Sequence, residues 1–345
     1  MLYKVENNIL KFHKSFNEPL SDEIYEIMKT VKHIIFNSKF NQPFTKRLPN
    51  NIEIIEFINF SNFNHPICCH QHQFCDCPER LPDSLIELKV SSDFNHQICC
   101  QISGHENGCD CPPLLPKNLR RLYFDYVYSN LTLNNLPQNL EVLYLPSNFN
   151  HSVDNLPKTL KDLRFRGSFN QTIDNLPQNL EILVLSKDFN QPINNLPSNL
   201  KVLVLGWDFN QPVDFLPVNL EKLEFTFDFD YPIDNLPPNL KDLILSHCFS
   251  MSINNIPDSI EFLMLRDYFT EPITKLPKKL KELYLPYYYE HSLPQYLLDR
   301  NFKIKYSQPM TIDESIEPRH EYMRDDTTNE ECDKIIFSSD SEWEE

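Results

Sequence analysis

Eight of the ten cysteines fall into two short runs, "CCHQHQFCDCPER" from Cys68 and "CCQISGHENGCDCPP" from Cys99. Cys68, Cys69, Cys75 and Cys77 in the first match Cys99, Cys100, Cys109 and Cys111 in the second: each run is CC followed by C-x-C. With His70, His72 and His105 between them, these are the soft donors that hold tetrahedral zinc in a reducing compartment. The spacing is not that of a C-x-x-C pair, so reduced thiols and disulfides stand beside zinc as alternative states. If zinc binds, eight thiolates saturate it. No coordination position is left open, so the expectation is structural zinc rather than metal catalysis.

No other group of residues suggests catalysis, and the chain is expected not to be an enzyme. There is no G-x-G-x-x-G and no G-x-x-x-x-G-K, and only four glycines are available to cradle a phosphate. Cys332 lies among acidic residues that oppose thiolate formation. The net charge is −17, and residues 310–345 hold thirteen Asp and Glu against three Lys and Arg. No basic stripe offers itself to phosphates, so nucleic acid and anionic membrane are not expected partners. No apolar run is long enough to cross a bilayer, and the opening "MLYKVENNILKFHK" lacks a secretory signal. The expected compartment is the cytoplasm.

The two cysteine runs occupy the same place in successive copies of a repeat, and the repeat must position them. Phe149, Phe169, Phe189, Phe209, Phe229, Phe249 and Phe269 are spaced by twenty. Leu140, Leu143 and Leu145 begin a second series with the same step, ending at Leu280, Leu283 and Leu285. Diverged copies lie around Phe16, Phe40, Phe63, Phe94 and Tyr128. In L-x-x-L-x-L, alternation of period two sends Leu183 and Leu185 inward and Ile182 and Val184 outward, as in a strand. The element L-P-x-N-L leaves room for an extended or single-turn return, not a full helix. The fold class is therefore mostly β: a leucine-rich-repeat-like curved solenoid of about twelve short parallel strands. One copy cannot bury both of its flanks, so copies must stack. Asn150, Asn170, Asn190 and Asn210 repeat as faithfully as the core. They are expected to point inward and to bond turn backbone in their own and the next coil.

"FNQPI" at Phe189–Ile193, "FNQPV" at Phe209–Val213 and the recurrent L-P-x-N-L make the chain resemble the FNIP-repeat proteins, a leucine-rich-repeat-like family of social amoebae and giant DNA viruses. The resemblance runs from about Phe16 to Leu285. It implies a solenoid and a protein-binding role, with a host or viral protein as partner and, for a viral chain, the host cytoplasm as location. Some relatives place an F-box before the repeats and serve as ubiquitin-ligase substrate adaptors. Here the first repeat-like Phe is already at residue 16, so an adaptor without a visible F-box is the alternative, as is a metal-stabilised structural protein.

The resulting organisation is an N-terminal cap and first coil over 1–36, a solenoid over 37–285 with cysteine-rich insertions at 65–80 and 96–113, a C-terminal cap over 286–308, and an acidic disordered tail over 309–345. "SDEIYEIMKTVKHIIF" predicts a short helix capped by Ser21, then a strand. "LPQYLLDRNFKIKY" predicts a short helix and an edge strand. The outward strand residues would form the concave face of a monomeric solenoid. Ile182, Val184, Val202 and Val204 with Trp207, and Ile244, Phe262 and Met264, are the apolar clusters expected to meet a partner there.

Overall fold

A computed structural model describes residues 2–58, 60–67, 81–96, 115–124 and 136–307. Among them, fifteen strands form one sheet whose spatial order is the chain order. They are β1 (Tyr3–Glu6), β2 (Ile9–Phe12), β3 (His33–Phe36), β4 (Ile54–Phe57), β5 (Glu87–Lys89), β6 (Arg121–Tyr123), β7 (Val142–Tyr144), β8 (Asp162–Arg164), β9 (Ile182–Val184), β10 (Val202–Leu205), β11 (Lys222–Phe225), β12 (Asp242–Ile244), β13 (Phe262–Met264), β14 (Glu282–Leu285) and β15 (Lys303–Tyr306). From β2 onward every pairing is parallel, each strand in register with the equivalent residues of the next coil. Fourteen strands thus run parallel, against the twelve or so expected, because β2 and β15 extend the ladder at its two ends.

Each coil is shaped by two turns. The Leu180 N–H donates to the Pro177 carbonyl at 3.1 Å, closing the L-P-x-N-L turn, and the same bond recurs from Leu140 to Leu280. After the strand a second turn brings the Phe189 N–H to the Ser186 carbonyl at 3.3 Å and throws the ring inward. The repeated Phe side chains stack along the interior, with centroids 6.1 Å apart for Phe169–Phe189 and 6.3 Å for Phe189–Phe209, and Tyr289 ends the column beside Phe269. Leu183 and Leu203 are fully buried beneath them. The returns are extended or turn structure, as the short repeat requires.

The first coil is closed by two devices. Helix α1 (Asp22–Met28) starts at Ser21, whose hydroxyl accepts the Ile24 N–H at 3.3 Å, with Asp22 and Glu23 in its first turn. It buries Ile24, Tyr25 and Met28. Strand β1 folds back antiparallel on β2 through Asn7 and Asn8, both left-handed at φ 48° and 66°. Asn tolerates that conformation, and such two-residue turns match the twist of a hairpin. At the other end a short helix, α2 (Gln295–Leu298), tucks Leu297 into the core before β15.

Candidate protein-interaction face

Strand alternation assigns two residues per coil to the outer face of the sheet. Toward the N-terminus that face neutralises its own charge. Glu56 lies 3.0 Å from Lys89 and 3.5 Å from His33, and Arg121 lies 2.6 Å from Glu87. Burial alone would raise the Glu56 carboxyl, but the His33 and Lys89 contacts outweigh it and hold it at about 2. On β8, Arg164 grips Asp162 through two nitrogens at 3.0 and 3.1 Å and lies 4.7 Å above the Tyr144 ring.

The next two strands carry no charge on this face. Register pairs Val202 with Ile182 and Val204 with Val184, and all four are half-exposed. On the following strand Glu224 is 1% exposed, with Lys222 at 3.6 Å and Arg266, reaching across two coils, at 3.3 Å. Beyond it, Phe262 and Met264 are half-exposed, and Phe262 packs against Tyr284 at 5.4 Å. Ile244 departs from expectation. It is 5% exposed, flanked in register by Glu224 and Met264, and offers little surface to a partner.

Trp207 stands two residues past β10 and heads a second row. It stacks on Phe227 at 5.6 Å, and Phe227 in turn lies 5.5 Å from His247. Lys187, one coil earlier, holds its ammonium 5.6 Å over the indole. Trp207 follows Gly206, where a β-carbon would lie 1.7 Å from the Ser186 carbonyl oxygen, so only glycine lets the two coils meet there. Beside the aromatic row runs an acidic one, Asp188, Asp208 and Asp228. Burial first, and then the like charge of Asp208, push the Asp188 and Asp228 carboxyls up, although Lys187 tempers the shift at Asp188.

The recurrent Asn after Phe does form a ladder, but not an inward one. The Asn190 Oδ1 accepts the Asn210 N–H at 3.1 Å and the Gln211 amide at 3.0 Å, while the Asn170 Oδ1 does the same for Asn190 and Gln191. These residues are half-buried, and every such bond runs to the next coil rather than within the same one. His65 and His96 occupy the Gln position, each bonding a carbonyl of the previous coil at 3.2 and 3.1 Å.

A groove of about 740 Å³ runs along the coils just before the strands. Its wall alternates in sign coil by coil: Glu141, Lys161, Glu181, Lys201, Glu221, Lys241 and Glu261. The pairs close at 3.2 Å for Lys161–Glu141, 2.6 Å for Lys201–Glu181 and 2.5 Å for Lys241–Glu221, and Lys281 bonds Glu261. A row of asparagines along it ties coil to coil, as where the Asn179 amide donates to the Lys158 carbonyl at 2.8 Å. In the sequence the same alternation is visible as a period of forty residues in charge sign.

Cys68, Cys69, Cys75, Cys77, Cys99, Cys100, Cys109 and Cys111 lie outside the described residues. Among the described residues no group of three or more His, Cys, Asp or Glu is placed to hold a metal, so structural zinc has no support there. Cys248 is a half-buried free thiol, pushed up first by burial and then by Asp228 and Asp230. No helix among the described residues is long and apolar enough to cross a membrane.

The FNIP repeat model matches residues 129–168, 169–195 and 192–227. No curated protein sequence matches the chain. Among solved structures, CroV588, a protein of the giant virus CroV described as a novel circular LRR protein, aligns with a TM-score of 0.60 at 29% identity over 82% of this chain. The chain spans 47% of that protein's length. An internalin, InlF of Listeria monocytogenes, aligns at 15% identity over 76% of this chain and 75% of its own, with a TM-score of 0.49. YopM of Yersinia enterocolitica aligns at 21% identity over 74% and 59%, with a TM-score of 0.35. The chain thus contains FNIP repeats, across residues 129–227, within a leucine-rich-repeat-like parallel solenoid.

Proposed function

We propose that the chain is a non-enzymatic scaffold that binds a protein partner on the outer, concave face of its strand ladder. The observation that carries this reading is the interruption at β9 and β10. The outward charges of β4, β5, β6, β8 and β11 are paired across or along strands, whereas here four half-exposed aliphatic side chains lie side by side on adjacent strands. Contiguous apolar surface of this kind is what interfaces use. Phe262 and Met264 extend the contact on the far side of the Glu224–Arg266 pair, and Trp207 supplies an aromatic anchor at its edge. The groove carboxylates and Cys248 support a binding role over a catalytic one, since the former are committed to lysines and the latter is held as thiol.

The test replaces Val184 and Val204 together with Asp. Both are half-exposed on the sheet surface, so circular dichroism and melting should stay near those of the parent, while a partner captured from host lysate by the parent chain should be lost. A partner retained by the folded double variant would remove the placement.

A further inference from the structure

The acidic row beside the apolar patch indicates what the partner carries. Asp188, Asp208 and Asp228 sit one coil apart, and their spacing is fixed by backbone bonds: the Asp208 N–H donates to the Lys187 carbonyl and the Asp228 N–H to the Trp207 carbonyl, both at 2.9 Å. Like charges held one coil apart repel one another. Two other rows along the regular coils avoid that cost. The groove wall alternates Glu and Lys, and the other acidic row, Asp154, Asp174, Asp214 and Asp234, is relieved by an Asn amide from the next coil at each position, at 2.8–3.0 Å. Asp208 and Asp228 have no cation and no side-chain amide among the described residues; their carboxylates face outward beside Trp207 and Phe227. Two carboxylates, Asp208 and Asp228, left unrelieved where the groove wall and the Asp154 row are relieved, mark a place where the relief comes from outside. Trp207 already accepts a cation over its ring from Lys187, and aromatic faces next to carboxylates suit guanidinium and ammonium groups.

We infer that the partner docked on this face presents a basic segment, whose Lys or Arg side chains lie along Asp188, Asp208 and Asp228 while its apolar side chains cover Ile182, Val184, Val202 and Val204. This rests on the docking role proposed above and adds the chemistry of the occupant.

A library of random short peptides is selected on the full chain at low salt, and in parallel on two variants, Val184→Asp/Val204→Asp and Asp188→Asn/Asp208→Asn/Asp228→Asn. Peptides enriched on the parent and lost on the valine variant should combine Lys or Arg with Leu, Ile or Phe. Their affinity should fall on the order of tenfold on the asparagine variant, the combined effect of three exposed ion pairs, and should weaken with salt. The melting temperature of the asparagine variant should not drop, since repulsion is removed, and this shows that it is folded. Patch-dependent peptides that are neutral or acidic, or that the asparagine variant holds equally well, overturn the basic partner and leave the docking role standing. Peptides that bind the valine variant undiminished, or no enrichment at all, overturn the docking role itself. A concentration-dependent dimer in light scattering that the valine variant abolishes assigns the face to a second copy of the chain, and overturns the inference as well.

Discussion

The asparagine ladder can be tested with a pair of substitutions at one position. In Asn190→Ala the Oδ1 that receives the Asn210 N–H at 3.1 Å and the Gln211 amide at 3.0 Å disappears, whereas the bond that Asn190 donates through its own backbone to Asn170 survives. Two neutral hydrogen bonds at about 0.5–1.5 kcal/mol each bracket the loss at ~1–3 kcal/mol. Because the site is half-buried and water can reach the freed groups, the lower half of that range, ~1–2 kcal/mol, is expected. Asn190→Asp keeps the acceptor and removes only an amide that makes no bond to another residue. The solenoid already uses this solution two coils on, where the Asp230 carboxylate accepts the Ser250 N–H at 2.8 Å. That variant should lie within about 0.5 kcal/mol of the parent. Urea denaturation with unchanged slope reports the global cost, and hydrogen exchange at the Asn210 amide reports the local one, faster in the alanine variant alone. An aspartate variant as damaged as the alanine variant would show that the oxygen acceptor is not what matters.

Phe189→Ala removes one ring from a stack with neighbours at 6.1 and 6.3 Å and should cost about 3–5 kcal/mol in denaturant titration, several times the ladder substitution. Gly206→Ala places a methyl 1.7 Å from the Ser186 oxygen; the coils must part, and melting should drop far more than for an exposed glycine. The Glu56 carboxyl is depressed in the folded chain to about 2, so its contribution is complete above the ordinary carboxylate range near 4.5 and disappears as pH falls toward 2. Glu56→Gln should therefore destabilise at neutral pH and flatten the loss of stability between those limits, as followed by melting at a series of pH values.

Most of the coil was readable because its determinants are local and repeated. The inward Leu pair, the stacking Phe and the L-P-x-N-L turn each recur at a fixed step, so a single copy indicates the side-chain directions of the rest. Ser21 and the acids after it gave α1 by the same local logic. The N-terminal hairpin carries only a local signal, Asn7 and Asn8 between β-favouring residues, and lies ahead of the regular copies, where no periodicity reinforces it. Constancy along a repeat does not by itself mean burial: that of Asn190 comes from its bonds to the following coil, not from an inward position. Ile244 shows a different limit. Its exposure depends on what the neighbouring strands carry and on the reach of Arg266 across two coils, and neither follows from its own position in the repeat.

The wall of alternating Glu and Lys gives the molecule a structural unit longer than its repeat. Two coils, not one, restore the sign of the wall. Excision or duplication of a single coil within Glu141–Lys281 would set acid against acid or base against base at the junction, while gain or loss of a pair would leave the pattern whole. Along that stretch the chain is suited to growing and shrinking in steps of forty residues.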